Sequence, residues 1–275
     1  MRGEFIDVAG ARLYYYAAGT RGSAGRDPIL LLHGVPASGH LWSDVVPLLP
    51  DGYRVIVLDL LGCGRSDQPR AASFGIPAHA ERVTAVLDVL KVERACVVGH
   101  GVGAGIAQWI AVHHPARVSR LGLVNPVGLS DWPDVRLRAL RACLPLLRAL
   151  PPRMVCEAAE RRLLAGHADA ERGARSVTRY MRAYTGTAGR DALLHHLRDL
   201  SAADTAALVP ALPRVTVPTA VLHGQQDPFC PLERARTLAY AIRNASLDTI
   251  EDAGHYLPDE APVRVADAIA RLLQR

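Results

Sequence analysis

Five short motifs gather the residues able to do chemistry, and each stands behind a run of apolar residues. His33-Gly34-Val35-Pro36 follows the run at 28–32, and Asp59-Leu60-Leu61-Gly62-Cys63-Gly64-Arg65-Ser66-Asp67 follows that at 54–58. Gly99-His100-Gly101-Val102-Gly103 follows 95–98, His223-Gly224-Gln225-Gln226-Asp227-Pro228 follows 219–222, and Gly254-His255 follows 247–250. A histidine can take or give a proton near neutral pH, and a carboxylate behind it orients the ring and stabilises its protonated form. Ser38, Ser66 and Cys63 lie in two of these loops, and a thiolate is a better nucleophile than a hydroxyl. None of the three sits between a strand and the helix it opens. Metal chemistry is not indicated. His113-His114 and His195-His196 are neighbours in helical patterns, and neighbours on a helix do not face one another. The five cysteines, Cys63, Cys96, Cys143, Cys156 and Cys230, are widely spaced and form no C-x-x-C pair. They are expected to be free thiols in a reducing compartment, and no cofactor is implied.

The elements that must position these motifs follow a regular rhythm. Residues 5–8 and 11–16 read as a hairpin around Ala9-Gly10, followed by a loop at 19–27. Apolar runs at 28–32, 54–58, 95–98 and 120–124 then alternate with helical patterns at 41–49, 78–90 and 102–113. Short apolar runs separated by helices indicate a parallel sheet covered on both faces. From 130 to 212 only helical patterns occur, punctuated by proline and glycine, and strand–helix alternation returns from 219 to 273. The expected organisation is one core built from 1–127 and 214–275, with a helical cap inserted at 128–213.

Composition narrows the partners. The 275 residues are 49% hydrophobic and 21% charged, enough for one sizeable core. The net charge of +5 does not point to nucleic acid, because Lys91 is the only lysine among 32 basic residues and the arginines are interspersed with acids. No stretch is long and apolar enough to span a membrane; residues 95–112 come nearest and are broken by His100, Gln108 and glycines. The N-terminus carries acids where a signal peptide needs an apolar run. A soluble cytoplasmic protein with a small-molecule substrate or ligand is expected, as a monomer or homodimer.

In this order and register the motifs resemble the α/β-hydrolase superfamily, in its capped branch of esterases, epoxide hydrolases and carbon–carbon bond hydrolases. The resemblance covers nearly the whole chain. It implies a mostly parallel sheet of about eight strands flanked by helices, with the pocket between cap and core. It implies that Asp227 and His255 are the acid and histidine of the catalytic machinery. It further implies that the backbone N–H groups of Val35 and Val102 form an oxyanion hole. Gly34, His100 and Trp132 are the candidates for contact with a bound molecule, although His100, Trp132, Tyr180 and Tyr184 read equally well as packing.

The departure lies at the nucleophile. The elbow should read Gly-x-Ser-x-Gly, or carry Asp, and here it reads Gly99-His100-Gly101-Val102-Gly103. Gly101 has no side chain, so covalent catalysis through it is excluded. Glycine reaches the strained angles of an elbow at no steric cost, so the fold tolerates it. Three functions fit. The first is an enzyme using His255, Asp227 and the anion hole without a covalent serine intermediate, in lyase-, isomerase-, cyclase- or weak hydrolase-type chemistry. The second is a serine ester or lactone hydrolase in which Gly101 has replaced the nucleophile. The third is a non-catalytic binding protein that kept the pocket.

Overall fold

The computed structural model describes residues 3–19, 25–130 and 132–275, so residues 20–24 of the loop expected at 19–27 lie outside it. The apolar runs join into one eight-stranded sheet in the order β1-β2-β4-β3-β5-β6-β7-β8. The strands are β1 (Glu4–Val8), β2 (Ala11–Ala18), β3 (Ile29–Leu32), β4 (Val55–Leu58), β5 (Ala95–His100), β6 (Val118–Val124), β7 (Thr219–Gly224) and β8 (Ala245–Ile250). β1–β2 and β2–β4 pair antiparallel, and every other pairing is parallel. This is the expected α/β architecture.

Side-chain alternation along the central strands builds the two sides of the core. Leu30 and Leu32 of β3 and Val97 of β5 pack on one face, against α1 (Ile76–Val89) and α2 (Val102–His113). Ile29, Leu31 and Val98 face the other way, toward Trp42 and the C-terminal helix. Both faces are covered, so β3, β4 and β5 are buried at every residue. The expected helix at 41–49 does not form. Two 3-10 turns, Gly39–Trp42 and Val46–Leu48, take its place. Pro47 cannot donate a backbone hydrogen bond and Pro50 ends the segment, while Leu41 and Trp42 are drawn fully into the core.

Among the described residues, six α-helices and a 3-10 turn (Val209–Arg214) lie between β6 and β7. The α-helices are α3 (Val135–Ala142), α4 (Leu144–Ala149), α5 (Pro152–Leu164), α6 (Ala170–Met181), α7 (Gly186–Asp199) and α8 (Ala202–Ala206). After β7 and β8 come α9 (Leu232–Ala241), α10 (Leu257–Glu260) and α11 (Pro262–Leu273). The strand order reverses between β3 and β5, so the loops leaving these strands diverge and open a crevice at their carboxyl ends. Gly34 and Gly101 stand at that crevice.

The β5–α2 turn is a steric solution in which three glycines have different jobs. A Cβ on Gly99 would lie 2.2 Å from the carbonyl oxygen of Gly103. A Cβ on Gly103 would lie 2.5 Å from Leu32 O and 2.6 Å from His33 O. These two positions permit the backbones of α2, β5 and β3 to touch. Gly101 differs. Its φ of 55° and ψ of −119° suit glycine, yet a Cβ there would meet its nearest neighbour, His255 Nε2, at 3.4 Å, an ordinary contact. Gly101→Ala should therefore cost only backbone strain, about 1–3 kcal/mol. Gly99→Ala must push main chain apart and should cost at least about 3 kcal/mol. Urea denaturation midpoints of the two variants check this, and a Gly99→Ala protein as stable as Gly101→Ala would refute the close approach.

Candidate active site

The site is built around one buried carboxylate. Asp227 leaves β7 in a turn that bends its side chain back on its own backbone. Oδ1 accepts the N–H of Phe229 at 2.7 Å and of Cys230 at 2.9 Å. Oδ2 accepts Asn125 Nδ2 at 2.7 Å and His255 Nδ1 at 2.8 Å. Burial alone would raise the carboxyl pKa, but the adjacent His255 ring and the hydrogen bonds from His255, Asn125 and Cys230 outweigh it and bring it down to about 2. With Nδ1 giving its proton to Asp227, the Nε2 lone pair of His255 is left to face Gly101.

The histidine is steadied on every side. Its backbone N–H donates to Gly166 O at 2.7 Å, tying it to the end of α5. Its backbone carbonyl accepts His100 Nε2–H at 2.8 Å, and the two rings meet edge to face at 4.7 Å. Phe229 packs on its other side, ring centroids 5.2 Å apart. His100 is fully buried, and burial followed by the nearness of His255 holds its pKa well below the usual histidine range. It stays neutral and supports the His255 ring through its hydrogen bond and edge-to-face contact. His100 Nδ1 is left without a partner and stands against Gly34, where a Cβ would come within 3.0 Å of it.

The loop after β3 is held with equal care. His33 donates from Nδ1 to Gly34 O at 2.7 Å and accepts Leu60 N–H on Nε2 at 2.9 Å. Its burial lowers its pKa and keeps the ring neutral, as this pairing requires. Val35 follows immediately and, with Val102 at the first turn of α2, borders the same cavity as Gly101. No hydrogen-bond acceptor for the N–H of Val35 or Val102 is found among the described residues.

The cavity measures about 390 Å³. Gly34, Val35, His100, Gly101, Val102 and His255 form its floor, and Asp227 stands behind His255. Trp132, Leu147, Leu150, Met154 and Val155 wall it from the β6–β7 insertion, so the lining is mainly apolar. Arg161 and Arg162 also border it, and the Arg162 charge is engaged by Asp134 and by the face of Phe229 at 4.2 Å. Trp132 borders the cavity and is anchored by Nε1–H donating to Thr205 Oγ1 at 2.6 Å. Tyr180 and Tyr184 point elsewhere, to Asp259 Oδ2 at 2.6 Å and Gly62 O at 3.2 Å.

The substitute nucleophiles are disposed of by packing. Cys63 is fully buried, 3.4 Å from His196 Nε2, and burial drives its thiol pKa up to about 12. Ser66 is consumed in structure, donating to Asp59 O at 2.7 Å and accepting from Tyr14 N–H at 2.9 Å. The adjacent histidine pairs diverge as expected. His195 contacts Arg198 and Asp199, whereas His196 meets Gly62 O at 3.1 Å. Sequence reasoning missed Asn125. The signal was an Asn-Pro step directly after a strand, and the fold uses its side chain to bridge β6 to Asp227.

The sequence model of the alpha/beta hydrolase fold matches residues 27–262. The chain belongs to the α/β-hydrolase family. It is 29% identical over 249 residues to the 2-hydroxymuconate semialdehyde hydrolase of Pseudomonas sp. strain CF600, covering 90% of this chain and 86% of that one. It is 30% identical over 229 residues to a putative carbamate hydrolase, RutD, of Pseudomonas syringae pv. syringae, covering 82% and 86%. Among solved structures, an alpha/beta hydrolase fold protein of Burkholderia ambifaria superposes with a TM-score of 0.87 at 23% identity, covering 98% of this chain and all of that one. A thermophilic esterase of Thermogutta terrifontis superposes at 0.80 with 25% identity, covering 100% and 98%. These two curated relatives are hydrolases by name, and no helix among the described residues is long and apolar enough to cross a membrane.

Because the folded pKa of Asp227 lies below its ordinary 3.8, its ionised state adds stability above about pH 4, and that contribution disappears as pH falls toward about 2. The loss should be about 2 kcal/mol. Asn125 sits at a φ of 42°, so Asn125→Gly removes the donor without straining the backbone. This variant should lose about 1–3 kcal/mol at neutral pH and begin its acid destabilisation at higher pH. Urea midpoints measured from pH 2 to 7 test both statements, and superimposable curves for the two proteins would contradict the assigned hydrogen bond.

Proposed function

We propose that this protein is an enzyme acting on small, uncharged, largely apolar molecules that carry a carbonyl group, by general acid–base chemistry and without a covalent serine intermediate. The observation that carries this reading is the assembled His255–Asp227 pair, Nδ1 to Oδ2 at 2.8 Å, with Nε2 directed at Gly101 inside an apolar cavity. The donors that hold that carboxylate also fix its bond to His255 Nδ1 and so support a directed Nε2.

His255 would draw a proton from Nε2's side of the cavity, either from a water seated beside Gly101 or from a carbon next to the substrate carbonyl. Charge developing on the carbonyl oxygen would be met by the N–H groups of Val35 and Val102. The general base is worth roughly 10²–10⁴ in rate, and each donor of an oxyanion hole roughly 10²–10³. Together they suffice for eliminations, isomerisations, ring closures and slow hydrolysis of activated esters. They fall short of what an acyl-enzyme route achieves on ordinary esters. The hydrolase names of the relatives support carbonyl chemistry in this pocket, and the apolar walls favour neutral substrates over anionic ones.

One observation favours a second reading, a serine hydrolase in which Gly101 has replaced the nucleophile. The space above Gly101 accepts a Cβ at ordinary contact with His255 Nε2, which would put a serine hydroxyl within reach of the base.

Two measurements discriminate. The first is His255-dependent exchange of the α-protons of small ketones in deuterated water, followed by NMR. The parent protein should catalyse it, and His255→Ala should slow it roughly 10²–10⁴-fold. The second is hydrolysis of a panel of activated esters and lactones by Gly101→Ser, with Gly101→Ser/His255→Ala as control. A large His255-dependent gain with a burst of acyl-enzyme, alongside a parent that exchanges no protons, would replace the main proposal with the serine hydrolase reading. Inertness of both proteins in both assays would leave a binding protein.

A further inference from the structure

A second cleft, of about 310 Å³, lies on the other side of the β3 loop and differs from the first in every chemical respect. Its floor is polar and buried, formed by Ser38, Gly39, Tyr16 and Asp59. Its rim carries three guanidinium groups from two separate parts of the chain. Arg65 comes from the loop after β4, and Arg179 and Arg182 come from the last turn of α6 and the residue that caps it. His40 and Ser43 complete the opposite edge.

The charges in this cleft are unbalanced. Asp59 is its only carboxylate, and both of its oxygens are already engaged by backbone donors, Oδ1 by Gly39 N–H at 2.6 Å and Oδ2 by Arg65 N–H at 2.9 Å. Arg65 donates from Nη1 to the Tyr14 hydroxyl at 2.9 Å and lies over that ring at 4.8 Å, which leaves the phenol proton free for an acceptor. The contrast along α6 is informative. Arg172 and Arg175, in its first turns, pair with Asp169 and Glu171. Arg179 and Arg182, on the cleft, form no ion pair or hydrogen bond among the described residues. The field they produce is felt by His40, whose pKa is lowered first by burial and then by Arg179, Arg65 and Arg182, against the opposing pull of Asp59.

We propose that this cleft is a binding site for a small oxyanion bearing at least two negative charges, held by Arg65, Arg179 and Arg182 and completed by the Tyr14 hydroxyl. Guanidinium forks match the paired oxygens of phosphate and carboxylate groups, and three of them against one internally satisfied carboxylate favour a multivalent anion over a monovalent one. The site is distinct from the apolar cavity and does not depend on the chemistry assigned to His255. Its position gives it a mechanical role. A bound anion would bridge α6 to the 3-10 turn Gly39–Trp42, which continues the loop carrying Gly34 and Val35, and would tighten the insertion onto the core.

Isothermal titration calorimetry with inorganic pyrophosphate and with citrate, at constant ionic strength set by sodium chloride, tests the proposal. At least one of the two should bind saturably to the parent protein, and which one binds more tightly separates a phosphate-bearing ligand from a polycarboxylate. Arg179→Gln/Arg182→Gln should weaken binding by at least about tenfold, since charge-assisted hydrogen bonds are lost. Ser43→Glu, which sets a carboxylate at the edge of the cleft, should do the same by repulsion. Arg153→Gln/Arg175→Gln, which removes equal charge elsewhere in the insertion, should leave affinity unchanged. The arginine side chains substituted here are exposed and Ser43 is half-buried, and circular dichroism verifies that each variant is folded. Absence of saturable binding to the parent overturns the proposal. So does equal weakening by the two arginine pairs, which would reduce the effect to net charge.

Discussion

A carboxylate withdrawn from water is tolerated only where its lone pairs are filled, and Asp227 meets that condition by drawing four donors from three places in the chain. Asn125 arrives from the end of β6, Phe229 and Cys230 from the loop after β7, and His255 from the loop after β8. These elements are neighbours at the β6–β7–β8 side of the sheet, so the carboxylate fastens three strand ends at one point. The same bonds that make its burial acceptable fix the tautomer of His255 and aim Nε2. Stability and chemical poise therefore share one cause. Any change that loosens the carboxylate also turns the imidazole.

The glycine at the elbow is understood in the same terms. The turn from β5 to α2 demands small residues at 99 and 103 because main chain meets main chain there, and these demands are independent of what stands between them. Position 101 is different, for its angles favour glycine while its surroundings leave room for a side chain. On the proposed reading a nucleophile could be absent here without opening a gap in the fold, and the buried, fully bonded Asp227 would remain beside it. Chemistry that needs a base and an anion hole survives such a change, whereas chemistry that needs a leaving acyl group does not.

Much of this was legible before the fold was seen, and the reasons are physical. β3, β4, β5 and β7 are short, continuous apolar runs because both faces of the sheet are covered, and each of the key motifs follows such a run. Asp227 and His255 could therefore be located by the strand in front of them. What could not be read was anything depending on side-chain direction. The segment 41–49 has helical spacing, yet the pull of Leu41 and Trp42 into the core and the missing N–H of Pro47 divide it into two short turns. Asn125 drew no notice as a residue before a proline, and only the parallel pairing of β6 with β7 brings its amide to Asp227. Trp132, Tyr180 and Tyr184 were equivalent as aromatic residues of the insertion, and the direction of each hydroxyl or indole N–H separates the one that borders the cavity from the two that brace it.

The loops after β3 and β4 show how the two cavities are joined. Each gives the other one side chain: His33 accepts Leu60 N–H, and Asp59 accepts Gly39 N–H. This exchange makes a single stiff unit out of residues 33–42 and 59–66, with Gly34 and Val35 facing the apolar cavity and Ser38, Gly39 and His40 facing the cationic cleft. Val35 and Gly39 are four residues apart; Gly34 O, just before Val35, accepts from His33 Nδ1 and from Ala37 N–H, and Gly39 N–H is bonded to Asp59. An anion hole works only if its donors are fixed before charge develops, so on the proposed reading the hydrogen bonds that hold this loop would serve the N–H of Val35 as well as the fold.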